Sequence, residues 1–211
     1  ECMNTRPGAN DIVFDLGASP GGWTSVMRNI CYCDNIISID RSSLDAALDR
    51  DDKITFVKGD AFTFDPSSIL SQQQQQKQPQ KQGRPSNKDG VVWMISDVIA
   101  HPERCTELLE AWCSNQWAQN MIVTMKFQSD PMMDELDKAI QLVHNLGYKH
   151  CRAKHFFSNK NEVTLMIIQN EDALLSSSTA STQPADRLVP GEIIGSSLYP
   201  SAIFPSIPNH K

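Results

Sequence analysis

Acidic residues stand at the ends of four apolar segments of this sequence, where they could share one binding pocket. The four are Asp15, Asp40, Asp60 and Asp97. A single acid at such a place is commonly a turn former, but the carboxyl ends of parallel strands lie at one edge of the sheet, where ligands bind. There Asp40 could accept hydrogen bonds from ribose hydroxyls, and Asp60, beside the small Ala61, could accept one from an adenine amino group. The spacing therefore predicts a nucleoside pocket.

Lys126 and Glu162 add a second kind of chemistry at this edge. Lys126 follows the apolar run 121–125, and Glu162 precedes the apolar run 163–168. A lysine there can simply extend into water, and the glutamate can be a routine charge at a strand start. Alternatively, a lysine that loses its proton can act as a base, because burial lowers the pKa of its ammonium group. With Asp97, which we expect beside the reacting group of a bound ligand, these residues predict an acid–lysine–acid cluster.

The turn after the first apolar run, with the sequence DLGASPGGW, predicts close contact between backbone and ligand. Gly17 permits a tight turn at the end of the strand because glycine tolerates positive φ. Pro20 suits a turn or the first helical position, and two further glycines leave room for a ligand. Trp23 could pack near a methionine moiety or equally well in the core. The candidate cofactor-binding residues of this segment are Asp15, Gly17, Ser19, Pro20, Gly21, Gly22 and Trp23.

Three well-known glycine motifs fit this turn poorly. The dinucleotide fingerprint GxGxxG requires a second glycine that is misplaced here, and a P-loop requires a lysine that does not follow Gly22. The GxSxG pattern of a nucleophile elbow is present, but Pro20 follows the serine and lacks the N–H that an oxyanion hole needs. A loop without phosphate contacts, with an acid at the strand end, suits a cationic cofactor such as S-adenosyl-L-methionine.

Short apolar runs alternate with amphipathic segments, which indicates a doubly wound α/β fold. We predict strands over residues 12–16, 36–39, 54–58, 91–96, 121–125, 152–157 and 163–168. Most are continuous apolar runs, as expected of strands that are covered on both faces. Strands that alternate with helices form parallel sheets. A short loop joins the last two strands, so the final strand of this seven-stranded sheet is predicted to be antiparallel.

Three helices are predicted between these strands. The first covers residues 20–29. The second begins at Pro102, and the third begins at Pro131, behind the cap residue Asp130, and ends at Gly147. Both later helices have apolar stripes at helical spacing: Cys105, Leu108, Leu109 and Trp112 in one, and Met133, Leu136, Ile140 and Val143 in the other.

The composition is typical of a globular protein, and the charge balance argues against a free-standing nucleic-acid binder. The formal net charge is −6 and the pI is near 5.3, whereas such binders are usually basic. The six cysteines lack CxxC spacing, and no apolar run is long enough to span a membrane. We expect an intracellular protein with reduced thiols, no metal and no membrane contact. The cytoplasm is the expected compartment, with the nucleus or an organelle as alternatives.

The motifs together resemble the FtsJ-class 2′-O-ribose RNA methyltransferases, in particular the RlmM-type enzymes that act on cytidine in large-subunit rRNA. The resemblance rests on DLGASPGGW at 15–23, WMISD at 93–97 with Pro102 nearby, Met125-Lys126, and NEVT at 161–164. It covers about residues 11–169, apart from the glutamine-rich stretch. It implies a Rossmann-like methyltransferase fold, S-adenosyl-L-methionine as cofactor, RNA as substrate and a monomeric protein.

The resemblance also implies catalytic roles for three residues. The family uses a Lys–Asp–Lys–Glu tetrad, in which Asp97, Lys126 and Glu162 match the last three members. The first lysine normally precedes the glycine-rich strand, and this chain has no lysine before Lys53. Because the chain opens with Glu1 rather than methionine, we expect it to be a piece of a longer protein whose upstream part carries that lysine and an RNA-binding domain.

The expected organisation is a methyltransferase domain over residues 1–169, a disordered glutamine-rich insertion over 71–90, and a largely disordered tail over 170–211. A basic run before Glu162 could contact RNA phosphates or be a solvated edge strand. Alternative functions are an inactive RNA-binding scaffold, a ribose methyltransferase acting on mRNA caps or tRNA, and a nucleotide-dependent oxidoreductase. The members of the basic run are Lys149, His150, Arg152, Lys154, His155 and Lys160.

Overall fold

The computed structural model of the chain describes residues 3, 5–76, 90–127, 133–156, 161–169 and 193–194. These residues form one mixed β-sheet with helices packed on both of its faces. In chain order the elements are β1 (Ile12–Leu16), α1 (Gly22–Asn29), β2 (Ile36–Asp40), β3 (Ile54–Lys58), α2 (Ser67–Gln76), β4 (Val92–Ser96), α3 (Pro102–Ser114), β5 (Asn120–Lys126), α4 (Met133–Asn145), β6 (His150–Lys154), β7 (Glu162–Ile168) and β8 (Ile193–Ile194).

The strand order is β3-β2-β1-β4-β5-β7-β6-β8. The pairs from β3 to β5 are parallel, whereas β7 runs antiparallel to both β5 and β6. This confirms the predicted α/β fold, a mostly parallel sheet of seven strands with an antiparallel last strand. The two-residue β8 joins the edge of that sheet, parallel to β6. Strands β2 and β4 lie on opposite sides of β1. The connection after β1 therefore runs to one side and the connection after β3 returns to the other, and this change of direction opens a crevice at the carboxyl ends of the strands.

Two apolar cores hold this sheet. On one face the predicted stripe of α3 is buried, and the Trp112 ring meets the Phe14 ring edge-on with a centroid distance of 5.4 Å. Residues of α4 such as Leu136 and Ile140 join the same core. On the other face Met27 of α1 packs in a smaller core with residues of β1, β2 and β4. Fully burying an apolar side chain of this size stabilises a fold by about 1.5–3 kcal/mol.

Three elements differ from the sequence predictions, and one of them is the two-residue β8, which lies in the tail that we expected to be largely disordered. Helix α2 was not predicted, and it continues through Gln76 into the segment that we expected to be disordered from Ser71; glutamine is a good helix former, and Ile69 and Leu70 pack on the larger core. Strand β6 begins at His150, earlier than the predicted residue 152. The rest of the insertion, most of the tail, and the predicted cap residue Asp130 lie outside the described residues.

Among the residues described, no helix has the length and hydropathy required to cross a lipid bilayer.

Candidate active site

A cleft of about 320 Å³ lies at the carboxyl ends of β1 to β4. That volume is typical of a small-molecule site. Three carboxylates line it, from the residues that end or follow β2, β3 and β4. The described lining residues are Gly17, Ser19, Asp40, Arg41, Gly59, Asp60, Ala61, Phe62, Asp97, Val98 and Ile99. Six residues predicted to bind the cofactor therefore lie on its wall: Gly17, Ser19, Asp40, Asp60, Ala61 and Asp97.

The glycine-rich turn is held against β2 and β4. The backbone N–H groups of Gly17 and Ala18 both donate to the carbonyl of Ile39, at 2.9 and 3.1 Å. Gly17 has φ +80°, and a Cβ there would lie 2.6 Å from Cγ1 of Val98, next to Asp97 in the chain. Only glycine fits this conformation and this contact without strain. The turn therefore brings the backbone of β1 close to the loop that carries Asp97.

Asp15 lies beneath the turn rather than on the wall of the cleft. Its side chain is buried and its Oδ2 accepts a hydrogen bond from the hydroxyl of Thr24 at 2.6 Å; the same hydroxyl oxygen lies 2.8 Å from Oγ of Ser38. Burial raises the pKa of Asp15 from 3.8 to about 6. The arrangement links β1, β2 and α1 directly below the cleft, so Asp15 shapes the turn instead of facing the open volume.

Asp40 and Asp60 are oriented by backbone N–H groups. Oδ2 of Asp40 accepts from the N–H of Ser19 at 3.0 Å, which ties the glycine-rich turn to the end of β2. Oδ1 of Asp60 accepts from the N–H of Phe62 at 3.0 Å, and its Oδ2 lies 2.5 Å from Nη2 of Arg41. The Phe62 N–H and then the Arg41 guanidinium lower the pKa of Asp60 below its usual value. Both carboxylates are held in fixed positions along one side of the cleft.

The acid–lysine–acid cluster is formed in the structure. Nζ of Lys126 lies 3.0 Å from Oδ1 of Asp97 and 3.7 Å from Oε1 of Glu162. The three side chains are partly exposed, at 22%, 39% and 31% for Lys126, Asp97 and Glu162, so a substrate can reach them. Asp97 also lines the cleft. The cluster and the cleft are therefore contiguous through a single carboxylate.

The other residues predicted in the glycine-rich turn do not appear on the described wall of the cleft. Trp23 packs partly buried on the smaller core, which favours its core interpretation. Gly21 has φ +121°, and a Cβ there would lie 2.2 Å from Cδ1 of Leu48. A Cβ at Gly22, in contrast, would meet nothing within 4 Å. Pro20 accepts a hydrogen bond at its carbonyl from the N–H of Asp45.

Sequence reasoning missed five residues of the wall: Arg41, Gly59, Phe62, Val98 and Ile99. Each lies within two positions of a predicted acid, and proximity in the chain was the only signal available for them. Ile99 is 90% exposed, although it lies at the mouth of the cleft. The guanidinium carbon of Arg104 lies 4.6 Å from the ring centroid of Phe62, so a cation–aromatic pair stands beside it.

The basic run is divided into buried side chains within β6 and exposed ones at its two ends. His150, Arg152 and Lys154 are 4–5% exposed and form one face of the strand, whereas Lys149 and His155 at its ends are exposed. Alternate side chains of a strand point to opposite faces, which explains the shared environment of the buried three. Lys160 lies outside the described residues. Among the described members of the run, Lys149 and His155 are therefore the exposed ones.

Comparisons with known proteins agree with this geometry. The FtsJ-like methyltransferase family matches residues 3–144. The chain is similar to ribosomal RNA large subunit methyltransferase M of Mannheimia succiniciproducens, with 28% identity over 160 residues that cover 72% of this chain and 38% of that protein. Its similarity to the protein of the same name from Halorhodospira halophila is 25% over 162 residues, covering 77% and 41%. The chain thus spans about two fifths of the length of these relatives.

A solved structure shows the same fold. The fibrillarin pre-rRNA processing protein of Methanococcus jannaschii aligns with a TM-score of 0.52 and 16% identity, covering 78% of this chain and 69% of that one. At this identity the likeness concerns the fold alone. The family match is of a different kind, because it extends over two thirds of the chain and includes the glycine-rich turn, the cleft and Lys126. With the sheet order and the lysine cluster, it shows that the chain belongs to the FtsJ-like methyltransferase family.

Proposed function

We propose that this chain is the catalytic module of an enzyme that methylates the 2′-hydroxyl of a ribose in RNA, with S-adenosyl-L-methionine as methyl donor and large-subunit rRNA as substrate. The observation that carries the proposal is the position of Lys126. Its Nζ lies between the carboxylates of Asp97 and Glu162, and Asp97 forms part of the cleft wall. A polar nucleophile bound at Nζ would therefore stand next to a ligand bound in the cleft.

The residues of the cleft fit an adenosyl cofactor. Asp40 and Asp60 each use described bonds to fix their orientation and still have lone pairs for donors of a ligand, such as ribose hydroxyls and an adenine amino group. Asp97 supplies negative charge that favours a sulfonium cation. The one described cation on the wall, Arg41, is paired with Asp60, so this wall offers no unpaired cation for a phosphate group.

Lys126 is the group that can handle the proton of the nucleophile. When bound, S-adenosyl-L-methionine would supply an electrophilic methyl group on its sulfonium. Lys126 would accept the proton of the ribose 2′-hydroxyl as that oxygen bonds to the methyl carbon and the methyl–sulfur bond breaks, which would leave a neutral thioether as the leaving group. Asp97 and Glu162 hold Nζ in place and stabilise the ammonium that results. Alignment of two reactants in this way is worth up to about 7–11 kcal/mol of the barrier in favourable systems.

RNA as substrate is supported by the relatives and by the surface near the cluster. The named relatives are ribosomal RNA methyltransferases. Exposed His155 follows the end of β6 that pairs with the start of β7, where Glu162 lies, whereas exposed Lys149 stands at the opposite end of β6, beside the end of β7. Exposed basic side chains can contact RNA phosphates, and the contribution of these contacts to binding affinity falls as the salt concentration rises. An RNA-binding domain elsewhere in the whole protein would supply most of the affinity, because this chain is acidic.

The test is methyl transfer by the protein that contains this chain. Large-subunit rRNA and labelled S-adenosyl-L-methionine are incubated with the enzyme, and 2′-O-methylation is read as resistance to alkaline hydrolysis. Lys126→Ala should lower the rate by about 100-fold or more, the usual contribution of a general base. Binding of S-adenosylhomocysteine, measured by calorimetry, should be unchanged.

Lys138→Ala is the matched control, since Lys138 is an exposed lysine of α4 that pairs with Glu135 and does not line the described cleft. It should retain full activity. Methylation on a base instead of a ribose would contradict the proposed reaction, and an equal loss of binding and activity in Lys126→Ala would contradict the assigned role. Cofactor binding without methylation of rRNA, tRNA or capped mRNA would favour a scaffold.

A further inference from the structure

Arg41 is a residue of the cleft that the proposed reaction does not use. It directly follows β2, its Nη2 lies 2.5 Å from Oδ2 of Asp60, and both residues line the cleft. The Arg41 side chain is 76% exposed. Its guanidinium is therefore fixed at one edge by a carboxylate while much of its surface remains open.

The ion pair leaves Asp60 able to bind a ligand. An ionised carboxylate has about four lone-pair positions, and the described bonds of Asp60 use one at Oδ1, for the N–H of Phe62, and one at Oδ2, for Arg41. An amino group of a ligand can thus bind Asp60 while Arg41 stays in place. The adenine amino group that Asp60 is proposed to accept would then lie beside the guanidinium.

A guanidinium in this position suits the face of a purine. Arginine is planar and weakly hydrated, and it stacks on aromatic rings, whereas the more compact lysine ammonium lacks a flat surface. We infer that Arg41, held by Asp60, covers the adenine ring of the bound adenosyl ligand and so determines affinity for the base. The inference rests on the proposed function, since it assumes that the nucleoside occupies this side of the cleft.

The opposite arrangement makes a different prediction. If Arg41 instead blocked Asp60 in the free protein, a ligand would have to break the ion pair on entry, and removal of Arg41 would tighten binding. If Arg41 acted only through its charge, lysine would replace it. The remaining acceptor positions on Asp60 favour the covering role over the blocking one.

Calorimetric titration of the 211-residue chain with S-adenosylhomocysteine and with adenosine separates these roles. We expect Arg41→Ala to weaken binding of both ligands by about 5- to 30-fold, the range of a desolvated cation–aromatic contact. Arg41→Lys should bind both ligands nearly as weakly as Arg41→Ala does, because lysine keeps the positive charge but lacks the planar guanidinium group. Arg50→Ala is the control: Arg50 is an exposed arginine off the described wall of the cleft that donates to the carbonyl of Ala46, and it should bind as the wild type does.

Four results would overturn the inference: unchanged affinity in Arg41→Ala, tighter binding in Arg41→Ala, wild-type affinity in Arg41→Lys, or a loss that affects S-adenosylhomocysteine but not adenosine. Failure of the wild-type chain to bind either ligand would instead count against the proposed function, and against this inference with it. Thermal unfolding of each variant verifies that the fold is intact.

Discussion

Asp15 shows how burial changes the role of a single residue. The sequence pattern places it among four acids at the carboxyl ends of strands, yet its side chain is 1% exposed and bonded to Thr24, whereas Asp40, Asp60 and Asp97 line the cleft. Protein atoms replace water around the carboxyl group of Asp15, and this loss of solvation penalises its charged form. The same residue type therefore has a structural task in β1 and remains available to ligands at three other strands.

This burial makes stability depend on pH. The pKa of Asp15 is raised from 3.8 to about 6, so the folded protein binds the proton more tightly than the unfolded chain does. The stabilisation from protonation is fully present below about pH 4 and is lost as pH rises through about 6, a change of about 3 kcal/mol for this group. The unfolding free energy of Asp15→Asn lacks this pH-dependent change, because asparagine does not titrate.

We expect the stability of Asp15→Asn relative to wild type to increase between pH 4 and pH 6.5, as measured by urea unfolding at a series of pH values. The asparagine can still accept the hydrogen bond of Thr24, so the comparison isolates the charge. A difference in unfolding free energy that stays constant over this range would show that the carboxyl group of Asp15 titrates normally.

At the scale of elements, the direction of β7 is what completes the catalytic cluster. Lys126 is the last residue of β5 and Glu162 the first of β7, and the antiparallel register places them opposite each other. In a parallel arrangement the start of β7 would lie at the far edge of the sheet, away from the ends of β4 and β5. The reversal of one strand thus brings an acid from the beginning of a segment to the edge where the other segments end.

The start of α1 offers a second test at this scale. Gly21 is the residue before the helix, has φ +121°, and has no space for a Cβ beside Leu48, whereas Gly22 is the first helical residue and faces open space. Gly21→Ala should destabilise the fold by about 1–3 kcal/mol through backbone strain. Gly22→Ala should be neutral or slightly stabilising, since alanine is the better helix former.

Chemical denaturation measures the difference in unfolding free energy between Gly21→Ala and Gly22→Ala. Each variant is the control for the other, because both add one methyl group and the two positions are adjacent. Equal stability of the two would show that the turn relaxes to accept a side chain. Titration of Gly22→Ala with S-adenosylhomocysteine additionally tests whether a ligand needs the open space at that residue.

At the scale of the whole molecule, the described cysteines report on the integrity of both cores. They are free thiols, and burial raises the pKa of Cys33, Cys113 and Cys151 to about 12 and that of Cys105 to about 11. Because the thiolate is the reactive form, these four should resist alkylation in the native protein at pH 8. They should react after unfolding in guanidinium chloride.

Peptide mass spectrometry after iodoacetamide treatment gives the modified fraction at each position. Cys31, which is only partly buried, serves as the internal comparison and should react first. Equal labelling of Cys31 and the four buried thiols in the native protein would contradict the packing of the cores.

The sequence by itself determined the fold class, the approximate positions of the seven principal strands, of which β6 was misplaced by two residues at its start, and the cluster of Asp97, Lys126 and Glu162. These features depend on local signals: continuous apolar runs define buried strands, and charged residues at their ends mark the edge of a parallel sheet. The tight turn at Gly17 could be predicted in the same way, because a glycine directly after an apolar run favours a strand end with positive φ, as the structure has it.

Only the tertiary structure decided which of the acids face the cleft, that Arg41 pairs with Asp60, and that one face of β6 buries three basic side chains. Each of these depends on atoms that are brought together from distant parts of the chain, and no local pattern contains the distance between them. Burial, pairing and orientation are properties of the packed molecule, which is why residues of the same type at equivalent strand ends came to have different roles.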